Sequence, residues 1–341
     1  MKPFLFFLLF ICPVTSVFAG MAGAESLTYK TAGDAKLELF VFQPPDRKPG
    51  EKRPAILLFH GGGWRSGGPY GMAPQCRYLA ERGMVAIAVQ YRLVPQVTIE
   101  GCIRDAVSSV RWVRSNAERL GVDSHRIAVG GGSAGGHLAA AAGVLEGFDE
   151  PGEDAKTSAR PDAMVLFNPA LVVAPVEGFH FELAGGSERW AELKIILGPT
   201  PENISPYHHV RAGLPPALIM HGTADTTVPF STSELFSAAM KKAGNRCDLV
   251  PYQDRTHAFF NPGNSKEDFA STMDDCDRFF VSLGWLQPAG KSTESPKLES
   301  VIDRRKRRRI HFSIADRDRQ NHSISVRHGD CSCGRFPQST P

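Results

Sequence analysis

The chain has 341 residues, with 39 Lys/Arg against 36 Asp/Glu, 42% hydrophobic residues and 22% charged residues. That balance excludes a fibrous, collagen-like or wholly disordered chain and suits one α/β domain of about 250–280 residues. The formal net charge of +3 comes from the C-terminal end, because residues 291–341 hold 12 Lys/Arg and 6 Asp/Glu and leave the rest of the chain net negative; nothing in the body has the basic bias of a nucleic-acid-binding protein.

Lys2 precedes the unbroken apolar run Phe4–Ile11, and Val17-Phe18-Ala19 ends in small-residue cleavage style. Residues 1–19 read as a secretory signal peptide, which predicts a secreted or periplasmic mature chain. The run is too short to span a bilayer by itself, and no later stretch is longer, so no membrane span is expected after signal removal.

Leu27–Phe42 alternates in part and reads as an opening strand pair, ending at Pro44-Pro45. Pro54–Phe59, Met84–Val89, Arg126–Val129, Ala163–Phe167 and Ala217–Met220 are short, largely apolar runs, the pattern of strands buried on both faces of a parallel sheet. Asp248–Tyr252 is a shorter final candidate. Helical patterns lie between them: Met72–Arg82, Ile99–Leu120, Ala134–Leu145, Ser231–Ala243 and Glu267–Leu283. The clearest places Ile103, Val107, Val110, Val113 and Ala117 on one stripe, with Gly121 as its stop. This alternation predicts an α/β fold with a mostly parallel central sheet flanked by helices.

Residues 171–214 break the rhythm and are too long for a plain loop. They predict a small insertion over the strand ends, near the functional site. From residue 287 onward periodicity is lost and Arg304–Arg309 forms a solid basic block, so 287–341 is expected to be a basic, disordered tail. The body, 20–286, keeps Cys76, Cys102, Cys247 and Cys276. Export permits disulfides, and sequence proximity would pair Cys76 with Cys102 and Cys247 with Cys276. Four buried thiols are an equally open reading.

Gly131-Gly132-Ser133-Ala134-Gly135 is a G-x-S-x-G pentapeptide between a strand and a small-residue helix. That context suits a nucleophile elbow, whose sharp turn needs small neighbours and exposes the serine hydroxyl. His60-Gly61-Gly62-Gly63 follows another buried strand. Its glycine N–H groups, Gly61 and Gly62, together with Ala134 after the serine, are the expected donors to an oxyanion. His60 is expected to brace this loop rather than move a proton. A serine needs a base and the base an orienting carboxylate. Asp225 follows the run Ala217–Met220, and His257 is the one histidine between Asp225 and the tail. Ser133, His257 and Asp225 are therefore the candidate catalytic residues, with Asp254 as the rival carboxylate. Trp64, beside the glycine loop, is a candidate substrate-binding residue able to stack on a sugar or aryl group, or else a packing residue. No metal site or organic cofactor is indicated.

With these residues placed, the chain resembles the hormone-sensitive-lipase-like branch of the α/β-hydrolase esterases. The nearest group is the acetyl and feruloyl esterases acting on xylan-type polysaccharides. The resemblance is carried by HGGGW at 60–64, Tyr91-Arg92-Leu93, Arg111–Arg114, Asp123–Ile127, GGSAGGHLAA at 131–140, HGTADTTVPF at 221–230 and His257-Ala258-Phe259. It implies the α/β-hydrolase fold and a serine carboxylesterase acting on a small-molecule or polysaccharide ester, with no cofactor. The chain departs from the branch in its short N-terminal cap and in Pro95-Gln96, where an acidic residue often follows the proline. A short cap implies an open cleft, suited to a short acyl group on a bulky alcohol. A prolyl-oligopeptidase-like peptidase or an amidase of the same fold would use the same triad.

Overall fold

The computed structural model describes residues 21–179 and 186–289. The expected signal peptide and nearly all of the expected tail lie outside the described residues.

Eight strands form one sheet: β1 (Glu25–Ala32), β2 (Ala35–Phe42), β3 (Arg53–Phe59), β4 (Val85–Val89), β5 (Val122–Gly132), β6 (Ala163–Phe167), β7 (Ala217–Gly222) and β8 (Cys247–Tyr252). Their order across the sheet is β1-β2-β4-β3-β5-β6-β7-β8. The opening pair is antiparallel, and β2 meets β4 antiparallel. Every pairing from β4 through β8 is parallel. Among the described residues, six helices join the parallel strands, α1 (Ala73–Glu81), α2 (Ile99–Ser115), α3 (Ala117–Leu120), α4 (Ala134–Val144), α5 (Gly186–Leu197) and α6 (Phe230–Lys242), and α7 (Lys266–Ser282) follows β8.

Side-chain alternation sends the apolar strand residues to two separate cores. Leu57, Phe59, Ile87 and Val89 face one, with α2, α4 and α6. Ile56, Leu58, Ala86 and Ala88 face the other, with α1 and α7. Both faces are covered, which is why the central strands read as continuous apolar runs rather than alternating ones. Each fully buried Leu or Ile contributes about 1.5–3 kcal/mol of transfer free energy.

Two local departures from the sequence reading have simple causes. The stripe Ile99–Leu120 is two helices: Asn116, at φ −105° and ψ 17°, ends α2, and its side-chain amide donates to the Trp112 carbonyl oxygen at 2.9 Å. Gly121 then closes α3 in the left-handed region at φ 69°. Strand β5 extends to Gly132, so its end carries the backbone directly into Ser133.

The proposed cysteine pairs are corrected. Cys76, Cys102, Cys247 and Cys276 are all free and buried. Cys102 and Cys247 belong to one core, while Cys76 and Cys276 belong to the other. Each pair favoured by sequence proximity is therefore split by the sheet. Burial pushes the Cys102 thiol up to about 12 and the Cys247 thiol up to about 11, so both stay protonated.

The insertion lies between β6 and β7. It contains α5 and two short 3-10 turns, Pro201–Ile204 and Pro206–His209. His208 and His209 sit in the second turn.

Candidate active site

Ser133 joins β5 to α4 at φ 55° and ψ −119°, a left-handed conformation that a serine adopts only when the surrounding structure enforces it. The enforcement is close packing. A Cβ at Gly131 would stand 2.5 Å from the Phe59 carbonyl oxygen, so the elbow can be built only with small neighbours. The Ser133 N–H donates to the Phe167 carbonyl at 3.0 Å, and the Ser133 carbonyl accepts the His137 N–H at 3.0 Å. Helix α4 is buried along its whole length. Its small, apolar residues fit a helix with no solvent face, and its N-terminus lies at the serine.

Ser133 Oγ lies 3.0 Å from His257 Nε2, and His257 Nδ1 lies 2.7 Å from Asp225 Oδ2. The carboxylate cannot donate, so Nδ1 carries the proton and Nε2 is left to accept from the serine hydroxyl. The three residues come from the carboxyl ends of β5, β7 and β8, separated by up to 124 positions in sequence. Asp254 is not part of this arrangement. It is exposed, at φ 58°, with its carboxylate accepting from the Gln253 amide.

Asp225 is 5% exposed and saturated with donors. Its Oδ1 accepts the Thr227 and Val228 N–H groups, each at 2.9 Å. Its Oδ2 faces both His257 and His221, the latter through Nε2 at 3.2 Å. Burial pushes the Asp225 carboxyl up, but the hydrogen bonds from His221, His257 and Val228 together with the His257 charge outweigh it and hold the group well below the usual carboxylate range.

His221 escaped the sequence reading. Its Nε2 points at two acceptors, Asp225 Oδ2 and the Val228 carbonyl at 2.9 Å, so it carries the proton there. Its Nδ1 then accepts from the Ser233 hydroxyl at 2.7 Å. The available signal was its place four residues before Asp225, at the end of a buried strand. Asn168 also escaped. It sits at the end of β6 with φ 35°, and its Oδ1 accepts the Ala258 N–H at 3.0 Å, which fixes the loop carrying His257. Phe260, further along that loop, stacks on Phe167 with ring centroids 4.8 Å apart.

The glycine loop stands beside the serine. A Cβ on Gly61 would lie 3.4 Å from Ser133 Cβ. Gly62 takes φ 121°, and any side chain there would collide with the Ser66 carbonyl. Ala134 occupies the first helical position, where the N–H has no acceptor within its own helix. His60 is buried and braces the loop: its Nδ1 lies 2.7 Å from the Gly61 carbonyl, and its ring stacks on Tyr91 at 4.3 Å. Burial brings the His60 imidazole down to about 4, with the Gly61 hydrogen bond opposing, so it is neutral at ordinary pH.

Trp64 borders the same cavity as Ser133. The residue is 5% exposed, and its Nε1 donates to His137 Nδ1 at 3.2 Å, so it packs as part of the cavity wall. His137 in turn donates from Nε2 to the Ile204 carbonyl at 2.7 Å. Burial holds His137 down at about 4 against that hydrogen bond. A neutral imidazole thus ties the glycine loop, α4 and the insertion together, and Trp64 forms a wall. The cavity has a volume of about 70 Å³, and its lining is mostly apolar, including Ala170, Val172, Leu193 and Val228. Among the described residues, no group of three or more His, Cys, Asp and Glu is placed to hold a metal ion, and no helix is long and apolar enough to cross a membrane.

Chemically, this is a hydroxyl on a hydrogen-bonded relay to a buried carboxylate, with a glycine loop alongside and a small apolar cavity in front. Such an arrangement is suited to acyl transfer. Residues 41–240, more than half of the chain, match the model of the family described as BD-FAE, and residues 198–286 match that of the dienelactone hydrolase family. The chain is 46% identical to the butyrate-bound esterase Est2 of the planctomycete Thermogutta terrifontis, with a TM-score of 0.73, over 79% of this chain and 98% of that one. It is 30% identical to a probable isoprenylcysteine alpha-carbonyl methylesterase of rice, Oryza sativa subsp. japonica, over 68% of this chain and 57% of the relative. It is 29% identical to the esterase LipQ of Mycobacterium tuberculosis, over 65% of this chain and 54% of the relative. The chain thus spans little more than half the length of these two curated relatives.

Proposed function

The chain belongs to the BD-FAE family and has the α/β-hydrolase fold, and from that premise we propose that it is a serine carboxylesterase hydrolysing short-chain esters through an acyl-enzyme. The observation that carries the reading is the unbroken relay from Ser133 Oγ through His257 to Asp225 at 3.0 and 2.7 Å.

In this reading Ser133 attacks the ester carbonyl while His257 Nε2 takes its proton. Asp225 holds the imidazole in the required tautomer and stabilises its charged form. The carbonyl oxygen becomes an oxyanion, received by the N–H groups of Gly61, Gly62 and Ala134; one such donor is worth about 3 kcal/mol of transition-state stabilisation. His257 returns the proton to the leaving alcohol. Water then repeats the attack on the acyl-enzyme, and the acid is released.

The cavity supports a short acyl group. An apolar cavity of about 150 Å³ admits benzene; one of about 70 Å³ admits roughly half as many carbons, about three beyond the carbonyl carbon held at Ser133. Acetyl to butyryl groups fit that limit, and the T. terrifontis relative has been seen with butyrate bound. On the other side His257 keeps a one-fifth exposed side chain, which leaves room for a bulky alcohol such as an acetylated sugar. The apolar run Phe4–Ile11 supports export of such an enzyme, and a mature protein starting at Gly20 by N-terminal sequencing would agree with it.

A p-nitrophenyl ester series from acetyl to decanoyl tests the reading, together with acetate release from acetylated xylan and ferulate release from a feruloylated substrate. Activity concentrated at two to four acyl carbons is expected. No turnover of any ester would sink it, and faster cleavage of aminoacyl-proline amides than of acetate esters would point to a peptidase.

A further inference from the structure

We infer that Leu197 and Val173 form the partition that sets the acyl-chain limit of this site, an inference that rests on the esterase reading. Both residues border two cavities. On one side is the 70 Å³ cavity that contains Ser133. On the other is a larger space of about 580 Å³, bounded by Pro175, Val176, Lys194 and Pro199 among others. Among the described residues, these two alone line both spaces.

The partition is built from two separate segments and is held from both. Leu193 and Leu197 lie one helical turn apart on α5 and share a face, and both line the inner cavity. Lys194, on the adjacent face, lines the outer one. The helix ends directly after Leu197, where Gly198 turns left-handed at φ 79° and donates its N–H to the Lys194 carbonyl at 3.2 Å. Opposite it, the Val173 N–H donates to Ser205 Oγ at 3.2 Å. The Ser205 hydroxyl in turn reaches His208 Nδ1 at 2.9 Å, while His208 Nε2 donates to the Pro175 carbonyl at 3.0 Å. Leu197 and Val173 are 8% and 7% exposed. Side chains so placed do not swing aside to admit a longer chain without losing buried contacts.

The acyl chain of a bound ester extends from Ser133 into the inner cavity and stops at this wall. Beyond it lies a mostly apolar space large enough for several more carbons, with Lys194 and Glu202 among its lining residues. Shortening the wall joins the two spaces. One methylene accommodated in a hydrophobic pocket is worth about 10- to 200-fold in specificity, so a modest opening is readable.

The test is kcat/KM for acetyl, butyryl, hexanoyl and octanoyl p-nitrophenyl esters in the wild type and in Leu197→Ala, Val173→Ala and Lys194→Ala, with melting temperatures recorded for each. The octanoyl-to-acetyl ratio is expected to rise at least tenfold in Leu197→Ala and by a smaller factor in Val173→Ala. Lys194→Ala, which alters only the outer lining, is expected to keep the wild-type profile. If Leu197→Ala fails to fold, Val173→Ala decides. An unchanged ratio in the folded wall variants, a uniform loss at all chain lengths, or an equal shift in Lys194→Ala overturns the partition while leaving the esterase reading intact. A wild type that turns over no ester overturns that reading, and the partition with it.

Discussion

His221 Nε2 lies 3.2 Å from Asp225 Oδ2, the same oxygen that receives His257 Nδ1. The buried carboxylate therefore has a second imidazole partner, held from behind by Ser233. Hydrogen bonds to charged groups contribute about 1.5–3 kcal/mol each. His221→Phe removes one from Asp225 and leaves the Ser233 hydroxyl without its acceptor. We expect kcat/KM to fall roughly ten- to hundredfold if the loss is felt in the transition state, with a lowered melting temperature. Wild-type turnover in a folded His221→Phe would show that Asp225 is sufficiently fixed by Thr227, Val228 and His257.

The two carboxylates near His257 are expected to separate cleanly. Asp225→Asn preserves shape but gives His257 Nδ1 a partner that can donate, favouring the wrong tautomer; a fall of about 10⁴-fold in turnover is expected. Asp254 is exposed and bonds its neighbour Gln253, so Asp254→Asn should stay within about twofold of wild type, as surface changes usually do. Steady-state rates on an acetyl ester read both, and the reverse order would transfer the orienting role to Asp254.

Acid should destabilise the fold before it protonates the triad carboxylate. His60 and His137 are held down at about 4 by burial, whereas an unfolded histidine takes its proton near 6.5. Between those values the unfolded state binds more protons, so stability falls as pH drops from 7 towards 4. At pH 5 each histidine accounts for on the order of 2 kcal/mol. Asp225 acts in a lower window: its carboxyl is depressed, so its stabilisation is present above the ordinary carboxylate range and is lost as pH falls through the folded value. Melting temperatures at pH 7 and pH 5 in salt-matched buffers read the slope. His137→Gln, which can still accept from Trp64, should show a shallower fall; an unchanged slope would remove His137 from the explanation.

The parts of this fold legible in sequence are those that follow from burial and local steric demand. The central runs Pro54–Phe59, Val85–Val89, Ile127–Val129, Ala163–Phe167 and Ala217–Met220 are apolar because both faces are covered, and periodicity finds such runs. The elbow is legible because Gly131 and Gly135 leave no space for a Cβ. Ser133, Asp225 and His257 fall where strand ends meet turns, so chain order was enough to bring them forward. The rest depends on which face an element presents. Cys76 and Cys102 are close in sequence yet lie on opposite sides of the sheet, and no count of spacings reports that. The break at Asn116 interrupts a stripe whose apolar spacing continues through it. His221, Asn168 and His137 matter through hydrogen bonds that include partners 4, 90 and 67–73 positions away, and a polar residue in an apolar run carries no sign of its partner. Trp64 was legible as a neighbour of the glycine loop, but its burial against His137 was not.

The central claim is that Ser133 is the nucleophile, and covalent trapping tests it most directly. The wild type is mixed with a p-nitrophenyl acetate or butyrate excess, quenched in acid within one turnover, and digested for mass spectrometry. The expected result is an acyl group on the peptide bearing Ser133. In Ser133→Ala both the adduct and turnover should be absent, with thermal stability within about 2 kcal/mol of wild type. An acyl group on another residue, or wild-type turnover in Ser133→Ala, would contradict the account.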